Sequence, residues 1–173
     1  MAAPDQDKAA RFEQALQPQL DAAFNLARWL TRNQQDAEDV VQEACLRALT
    51  FFETFHGGDG RAWLLTIVRN TCCTWLRKNR PEWLAEGFDE GRHEAESSAP
   101  DPEAQRISDA GRERVQRALS ELPAEYREIL VLREMEELSY KQISSVVGVP
   151  LGTVMSRLAR ARMRLGQLLV QGE

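Results

Sequence analysis

Four arginines lie close together near the end of the chain, in GVPLGTVMSRLARARMRL at residues 148–165, and no acidic residue interrupts them. Arginine presents a planar fork of donors that suits phosphate oxygens and the edges of guanine bases. The whole chain has a formal net charge of -5 at pH 7, so this basic stretch runs against the overall charge balance. These residue types therefore predict contact with nucleic acid.

Two helices are expected to position the arginines. Ser139 and Gln142 have the spacing of a capping box, Gly148 is suited to end a helix, and Pro150 is suited to begin the next one. An apolar stripe on the second helix should pack inward; it comprises Val154, Leu158, Ala161, Leu165 and Leu168. The opposite side carries the residues expected to contact bases or phosphates, with Lys141 added from the first helix: Lys141, Thr153, Ser156, Arg157, Arg160 and Arg164. The alternative is a solvated basic face on a core helix.

The remainder of the chain predicts an all-α protein, because apolar residues recur at steps of three and four and strand-like alternation is absent. We expect two small helical domains, at residues 1–80 and 111–173, joined by a flexible acidic linker at residues 81–110. The linker holds nine acidic and two basic residues and three of the seven prolines. Helices are predicted at residues 12–30, 36–52, 60–78, 111–120, 124–134, 139–147 and 150–170.

Composition and motifs argue against a membrane protein, a disulfide-linked protein and an enzyme. The longest apolar runs fall far short of the ~20 residues that span a bilayer, and the N-terminus is polar, which predicts a cytoplasmic protein. Cys45, Cys72 and Cys73 cannot all pair with one another, which fits a reducing compartment. We find no pairing of nucleophile and base, no phosphate-binding glycine loop and no cluster of metal ligands. The sequence therefore predicts no catalytic residue, metal, cofactor or small-molecule substrate.

Three segments resemble bacterial sigma factors of the extracytoplasmic-function (ECF, group IV) type. LPAEYREILVLREMEELSYKQISSVVGVPLGTVMSRLARARMRL, at residues 122–165, is similar to their region 4. DAEDVVQEACLRAL at residues 36–49 resembles region 2.2, and RAWLLTIVRNTCCTWLRK at residues 61–78 resembles regions 2.3 and 2.4. The resemblance implies a subunit that binds core RNA polymerase, at the β′ clamp helices and the β flap, and recognises the minus-10 and minus-35 elements of promoter DNA. It also implies restraint by an anti-sigma factor, which in some members is membrane-bound.

The resemblance assigns roles to particular residues. It assigns core polymerase binding to Asp36, Glu38, Asp39, Gln42 and Glu43. Asp36 is also expected to cap its helix. The resemblance assigns minus-10 recognition to His56, Gly57, Gly58, Asp59, Arg61, Trp63, Thr66, Arg69, Asn70 and Arg77. Glycines in the loop before residue 61 would let the backbone approach a flipped base. Phe51, Phe52, Phe55 and Trp63 are candidates for stacking on melted bases, although core packing is the favoured role for most of them.

Two features depart from the family pattern, and one other class of protein fits the C-terminal motif. Met155 stands on the DNA side of the recognition helix, where family members often carry a basic or polar residue. Cys72 and Cys73 are unusual on a helix expected to lie against DNA. The alternative class is an operator-binding helix-turn-helix regulator that acts without polymerase; such a protein requires neither DAEDVVQEA nor the glycine-bearing segment before residue 61.

Overall fold

A computed structural model describes residues 4–82 and 106–172, and all regular elements within those two ranges are helical. The N-terminal domain contains α1 (Pro4–Leu16), α2 (Leu20–Thr31), α3 (Gln34–Phe51) and α4 (Gly60–Asn79). The C-terminal domain contains α5 (Arg106–Glu121), α6 (Ala124–Leu130), α7 (Tyr140–Val147) and α8 (Leu151–Gln171). The all-α prediction is confirmed for these ranges. Most of the predicted acidic linker, at 83–105, lies outside the described residues.

Small side chains allow α2, α3 and α4 to pack closely in the N-terminal domain. Ala23, Ala27, Ala44 and Ala48 are completely buried where these helices meet. An alanine at a helix contact lets the two axes approach, because no long side chain has to be accommodated between them. Larger apolar residues fill the rest of the core, among them Leu26, Val40, Leu64, Leu65 and Val68.

The single helix predicted at residues 12–30 is wrong, because the chain breaks between α1 and α2. A short 3-10 turn, Gln17–Gln19, separates the two helices and contains Pro18. Proline has no backbone N–H to donate, and its ring clashes with the carbonyl of the preceding turn. The break allows α1 to contact α4, and Phe12 packs against the core.

A π-helical segment also changes one predicted element of the C-terminal domain. The helix predicted at residues 124–134 is α-helical only as far as Leu130 and continues as a π-helical segment, Val131–Met135. The N–H of Glu136 donates to the carbonyl of Val131 at 3.0 Å, which closes a wide turn. Glu136, directly after that turn, is 7% exposed and faces the N-terminal domain. The first helix of this domain also begins earlier than predicted, at Arg106 instead of residue 111.

The helix-turn-helix geometry follows the prediction closely. Ser139 and Gln142 form a complete capping box at the start of α7, with hydrogen bonds of 3.1 and 2.7 Å. Gly148 ends that helix in the left-handed region at φ +74°, which glycine adopts without steric cost. Pro150 immediately precedes α8. The predicted inward stripe is confirmed: Val154, Leu158 and Ala161 are buried, and Leu165 and Leu168 pack against the core.

The two domains pack directly against each other. Helix α7 of the C-terminal domain lies against α4, and α6 lies against α2. The buried apolar residues of both domains belong to one continuous cluster, which extends from Leu16 to Ala161. The sequence indicated two domains but not how they are arranged, and the structure shows a closed arrangement.

Candidate functional site

The N-cap of α3, the helix that carries the predicted acidic face, is a different residue from the one predicted. The side chain of Asn33 accepts a hydrogen bond from the N–H of Asp36 at 3.0 Å, so Asn33 is the N-cap and Asp36 lies in the first turn. The prediction that Asp36 caps the helix is therefore wrong. Asp36 still benefits from the positive end of the helix dipole. Asn33 has the extended backbone conformation that an N-cap requires, whereas Asp36 is already helical.

The residues predicted to bind polymerase lie on an accessible side of α3. Asp39, Gln42 and Glu43 are exposed, while Asp36 and Glu38 are partly buried. Glu43 accepts from Arg47 at 3.0 Å, and this pair lies on the surface of the same helix. Leu46 follows on the same side, three or four residues beyond Gln42 and Glu43, and is 64% exposed. Sequence reasoning missed Leu46, although its spacing from Asp39 was the available signal.

The loop before α4 is open. Gly57 and Gly58 adopt φ angles of +86° and +91°, and a Cβ placed at either position would meet no atom within 4 Å. His56 is exposed beside them. Asp59 ends the loop as the N-cap of α4 and accepts from the N–H of Ala62 at 3.0 Å. That backbone hydrogen bond is the main reason why the pKa of Asp59 is lowered.

Aromatic rings form a cluster behind this loop. The ring of Phe52 lies 5.4 Å from Phe12 and 6.4 Å from Trp63, both in edge-on geometry. Phe55 lies 5.0 Å from Trp63. These rings mainly pack against one another, as the sequence favoured for most of them. Phe51 is 55% exposed, which leaves its ring available to a partner.

Two of the arginines predicted to contact minus-10 DNA face the C-terminal domain. Arg61 donates to Glu136 at 2.7 Å, and Glu136 also accepts from Asn25 at 2.6 Å. Arg69 donates through two nitrogens to Glu128, at 3.1 and 3.3 Å. The two acids lie 75 and 59 residues away along the chain. The roles of Glu136 and Glu128 were not predicted from the sequence, because no local pattern indicates a contact between residues so far apart along the chain.

Among the residues that the structure describes, the other minus-10 candidates on α4 do not pair with acids of the C-terminal domain as Arg61 and Arg69 do. Asn70 and Arg77 are exposed on α4, and the hydroxyl of Thr66 donates to the carbonyl of Ala62 at 2.7 Å. Trp63 is half-buried in the aromatic cluster. Asn70 and Arg77 are therefore accessible in the closed arrangement, whereas Arg61 and Arg69 are engaged with the C-terminal domain.

The surfaces of α7 and α8 present the predicted minus-35 residues. Lys141, Ser156 and Arg160 are exposed, whereas Thr153, Arg157 and Arg164 are partly buried. Arg157 lies 4.0 Å from Glu125, and Arg164 donates to Gln167 at 3.4 Å. Met155 is 53% exposed on the same helix, so this position presents a thioether on the outer surface. Arg162, on the same helix, pairs with Glu134 at 2.7 Å.

The three thiols are poor nucleophiles in this setting. Burial raises the pKa of Cys45, Cys72 and Cys73, and Cys72 is completely buried. Residues 4–82 and 106–172 contain no grouping of three or more His, Cys, Asp or Glu side chains arranged to hold a metal ion. In the same ranges, no helix has both the length and the apolar character needed to cross a bilayer.

Both domains of the chain are similar to known proteins. The model of Sigma-70 region 2 matches residues 15–82, and the model of Sigma-70, region 4 matches residues 112–165. The ECF RNA polymerase sigma factor SigE of Mycolicibacterium smegmatis is 33% identical over 96% of this chain, which spans 65% of that relative's length. EcfG of Rhodopseudomonas palustris, another ECF RNA polymerase sigma factor, is 36% identical over 81% of this chain and 75% of its own length.

Two solved structures share the fold. The sigma factor RpoE of Bartonella quintana, in complex with the anti-sigma factor NepR, has a TM-score of 0.69 and 30% identity, covering 92% of this chain and 96% of that one. CnrH, in complex with the cytosolic domain of CnrY, has a TM-score of 0.66 and 25% identity, covering 94% and 89%. In both comparisons the match extends over the two domains of this chain.

Proposed function

Because the chain belongs to the extracytoplasmic-function sigma factors of the sigma-70 family, we propose that it binds core RNA polymerase and directs it to promoters through both domains. Polymerase carries out the chemistry of RNA synthesis. The observation that carries the proposal is the combination, on one chain, of an exposed acidic face on α3 and a helix-turn-helix that exposes Arg160. An operator-binding regulator would require the second feature only.

Binding to polymerase is assigned to the face of α3. Asp36, Glu38, Asp39, Gln42 and Glu43 provide its polar part, and Leu46 adds an exposed apolar side chain. A basic surface such as the β′ clamp helices would complement these acids, and the charges would mainly set specificity and the rate of encounter. Burial of Leu46 would then supply hydrophobic free energy at the contact. The C-terminal domain is proposed to bind the β flap, with the family resemblance as its support.

Minus-10 recognition is assigned to the loop of His56, Gly57, Gly58 and Asp59 together with side chains along α4. The positive φ angles of both glycines and the empty space around them leave room for a nucleotide to approach the backbone. Along α4, the set comprises Arg61, Trp63, Thr66, Arg69, Asn70 and Arg77. The guanidinium groups suit phosphates, and the amide of Asn70 suits a base edge.

Minus-35 recognition is assigned to α8, with Lys141 from α7. The N-terminal half of a recognition helix faces base edges in the major groove. Thr153, Ser156, Arg157 and Arg160 lie in or next to that half, and Arg164 lies one turn beyond Arg160. We expect Arg160 to contribute most to sequence preference, because it is exposed and has a long, rigid fork of donors.

The partner that restrains this chain is proposed to be an anti-sigma factor. The support is that RpoE and CnrH were each solved in complex with a partner, named as an anti-sigma factor for RpoE. We place the chain in the cytoplasm, where polymerase is found, with some of it held at the inner face of the membrane if its anti-sigma factor is anchored there.

Run-off transcription with core polymerase on a library of promoter sequences tests the proposal. We expect transcripts that depend on this protein, and we expect the double change Asp39→Ala, Glu43→Ala to abolish them on every template. Glu13→Ala, Asp21→Ala is the matched control, since it removes two exposed acids from other helices. Arg160→Ala should relax the minus-35 preference, whereas Arg117→Ala, an exposed arginine on α5, should not.

One outcome would reject the sigma assignment. If no polymerase-dependent transcript appears while the protein alone shifts a specific duplex, the chain acts as an operator-binding regulator.

A further inference from the structure

An exposed apolar stripe runs along α8 beside the predicted minus-35 residues. It begins at Leu151 and continues at steps of four residues through Met155 and Ala159 to Met163. The side chains of Leu151, Met155 and Met163 are 49%, 53% and 61% exposed. Each step of four residues passes a full helical turn by only about 40°, so neighbouring members lie close together on the helix surface. Ala159 is exposed as well, so the described residues of neither domain cover this stripe.

The buried side of α8 fixes the direction in which the other sides point. The inward stripe that begins at Val154 faces the domain core, so the opposite half of the helix faces outward. Met155 lies on that outer half, directly before the exposed Ser156. Ala159 lies one turn later, directly before the exposed Arg160. Adjacent residues are about 100° apart around a helix, so a DNA groove that admits one member of each pair also receives the other.

The first turn of α8 leaves room for a base pair beside Met155. A long side chain on a helix lies over the turn N-terminal to its own Cα, which for Met155 is the turn that holds Leu151 and Gly152. Gly152 is exposed, and a Cβ placed on it would meet no atom within 4 Å. The surface around the thioether is therefore apolar and open, with Leu151 beside it.

Such a surface suits the one apolar group that bases present in the major groove. Only thymine carries a methyl group there, at C5, and apolar side chains recognise thymine through it. Methionine is unbranched and polarisable and has three rotatable bonds, so its end can adapt to the position of a methyl group. The local charge also favours DNA as the occupant, because residues 148–165 contain four arginines and no acidic residue.

We propose that Met155 is a specificity-determining residue for the minus-35 element: its thioether contacts the C5-methyl of a thymine, in space that Gly152 keeps open. The proposal rests on the minus-35 role assigned to α8 above. It adds a preference for one T·A pair that hydrogen bonds from Ser156 and Arg160 do not supply. Removal of one methyl group from water strengthens a contact about fourfold, which sets the size of the expected preference.

Deoxyuridine tests the contact, because it pairs as thymidine does but lacks the C5-methyl. The full chain is bound to core polymerase, and preferred minus-35 sequences are selected from a randomised promoter library. Each thymine of the selected element, on either strand, is then replaced singly with deoxyuridine, and the apparent Kd is measured by competition. For the wild type, one replacement should raise the Kd about fourfold. For Met155→Ala, the promoters with thymine and with deoxyuridine at that position should bind equally.

Two further variants serve as controls. Met163→Ala removes the same side chain about two turns later in the same stripe, so its response to deoxyuridine should match that of the wild type. Met155→Leu keeps an apolar side chain of similar size and should retain most of the response. Both methionines are exposed, so the fold should not depend on either, and circular dichroism checks this for each variant.

Three results overturn the proposal. One is a response to deoxyuridine that is equal in the wild type and in Met155→Ala, which would assign the effect to DNA shape. Another is a selected element in which no thymine responds in the wild type. The third is weaker assembly of Met155→Ala with core polymerase at unchanged base preference, which would make the stripe a protein-binding surface.

Failure of the proposed function gives a different result. Wild-type protein and core polymerase would then select no promoter sequence at all, which removes the sigma assignment and this proposal together. If a minus-35 element is selected but its recognition does not depend on Met155, the sigma assignment stands and only the thymine contact is rejected.

Discussion

Arg127 joins the two domains through the carbonyl oxygen of Trp29, 98 residues away along the chain, at 3.1 Å. The same guanidinium donates to the carbonyls of Leu119 and Leu122, at 3.1 and 2.7 Å. Its side chain is among the largest that are fully buried in the described part of the chain, at 1% exposure. One arginine thus satisfies carbonyl groups where α5 ends and near the end of α2.

Replacing Arg127 with methionine should lower the free energy of unfolding by about 3 kcal/mol, because several buried carbonyls lose a charged donor at once. Arg127→Lys should recover only part of this loss, since an ammonium group lacks the planar fork. Urea denaturation measures both, with Arg117→Met as the exposed control, for which a change within about 0.5 kcal/mol is expected. Equal losses at the two positions would contradict this role.

The pKa of Glu128 predicts a distinctive pH dependence of stability. Desolvation raises the pKa of Glu128 and outweighs the opposing attraction of Arg69 and Arg157, while Glu125 adds to the rise. A raised pKa in the folded state means that the folded protein holds this proton more tightly than the unfolded chain does. The resulting stability is fully present below the unfolded pKa of about 4.3 and is lost as pH rises through the raised folded value.

Glu128→Gln isolates this effect, because glutamine resembles the protonated acid. As pH rises above about 4.3, the wild type should lose free energy of unfolding relative to this variant. Asp59→Asn should show the opposite sign, since the pKa of Asp59 is lowered and its stabilisation disappears as pH falls. Denaturation across a pH series provides the measurement. Parallel curves for wild type and Glu128→Gln would show that Glu128 has the same pKa in both states.

The capping arrangement at α3 predicts that stability and polymerase binding can be separated. Asn33→Ala should cost about 1 kcal/mol, because the N–H of Asp36 loses its acceptor, while binding to core polymerase stays unchanged. Asn33→Asp should restore the stability. Asp36→Ala keeps the cap, so it should weaken polymerase binding at little cost to folding. Thermal unfolding measures the stability of each variant, and a core-binding titration measures its affinity for polymerase. A larger loss of stability for Asp36→Ala than for Asn33→Ala would show that Asp36 is the cap.

The thiols should react in an order set by burial. Burial raises the pKa of Cys45, Cys72 and Cys73, and Cys72 is completely inaccessible. At neutral pH, iodoacetamide should modify Cys45 and Cys73 slowly compared with a free thiol and Cys72 only in denaturant. Tandem mass spectrometry locates the adducts. Modification of native Cys72 at the rate of Cys45 would show that α4 opens locally from the bundle.

Local patterns in the sequence determined the elements and their faces. The capping box at Ser139, the left-handed position at Gly148 and the inward stripe through Val154 and Leu158 depend on residues within a few positions of one another. Interactions at such spacings are fixed by helix geometry, which is why they can be predicted. The errors were also local in origin. Pro18 lies within an apolar period that continues on both sides of it, and Asn33 and Asp36 are both residue types that cap helices well.

Only the tertiary structure decided what the site residues contact. The family resemblance assigns Arg61 and Arg69 to minus-10 DNA, but their partners Glu136 and Glu128 come from elements far along the chain. The π-helical turn that directs Glu136 towards α2 and α4 is not indicated by the apolar spacing of its residues. Burial of both acids depends on the closing of the two domains onto one apolar core. The sequence by itself determined which helices form and which side chains they expose, because these depend on near neighbours; the structure decided which charges meet, because that depends on packing between distant helices.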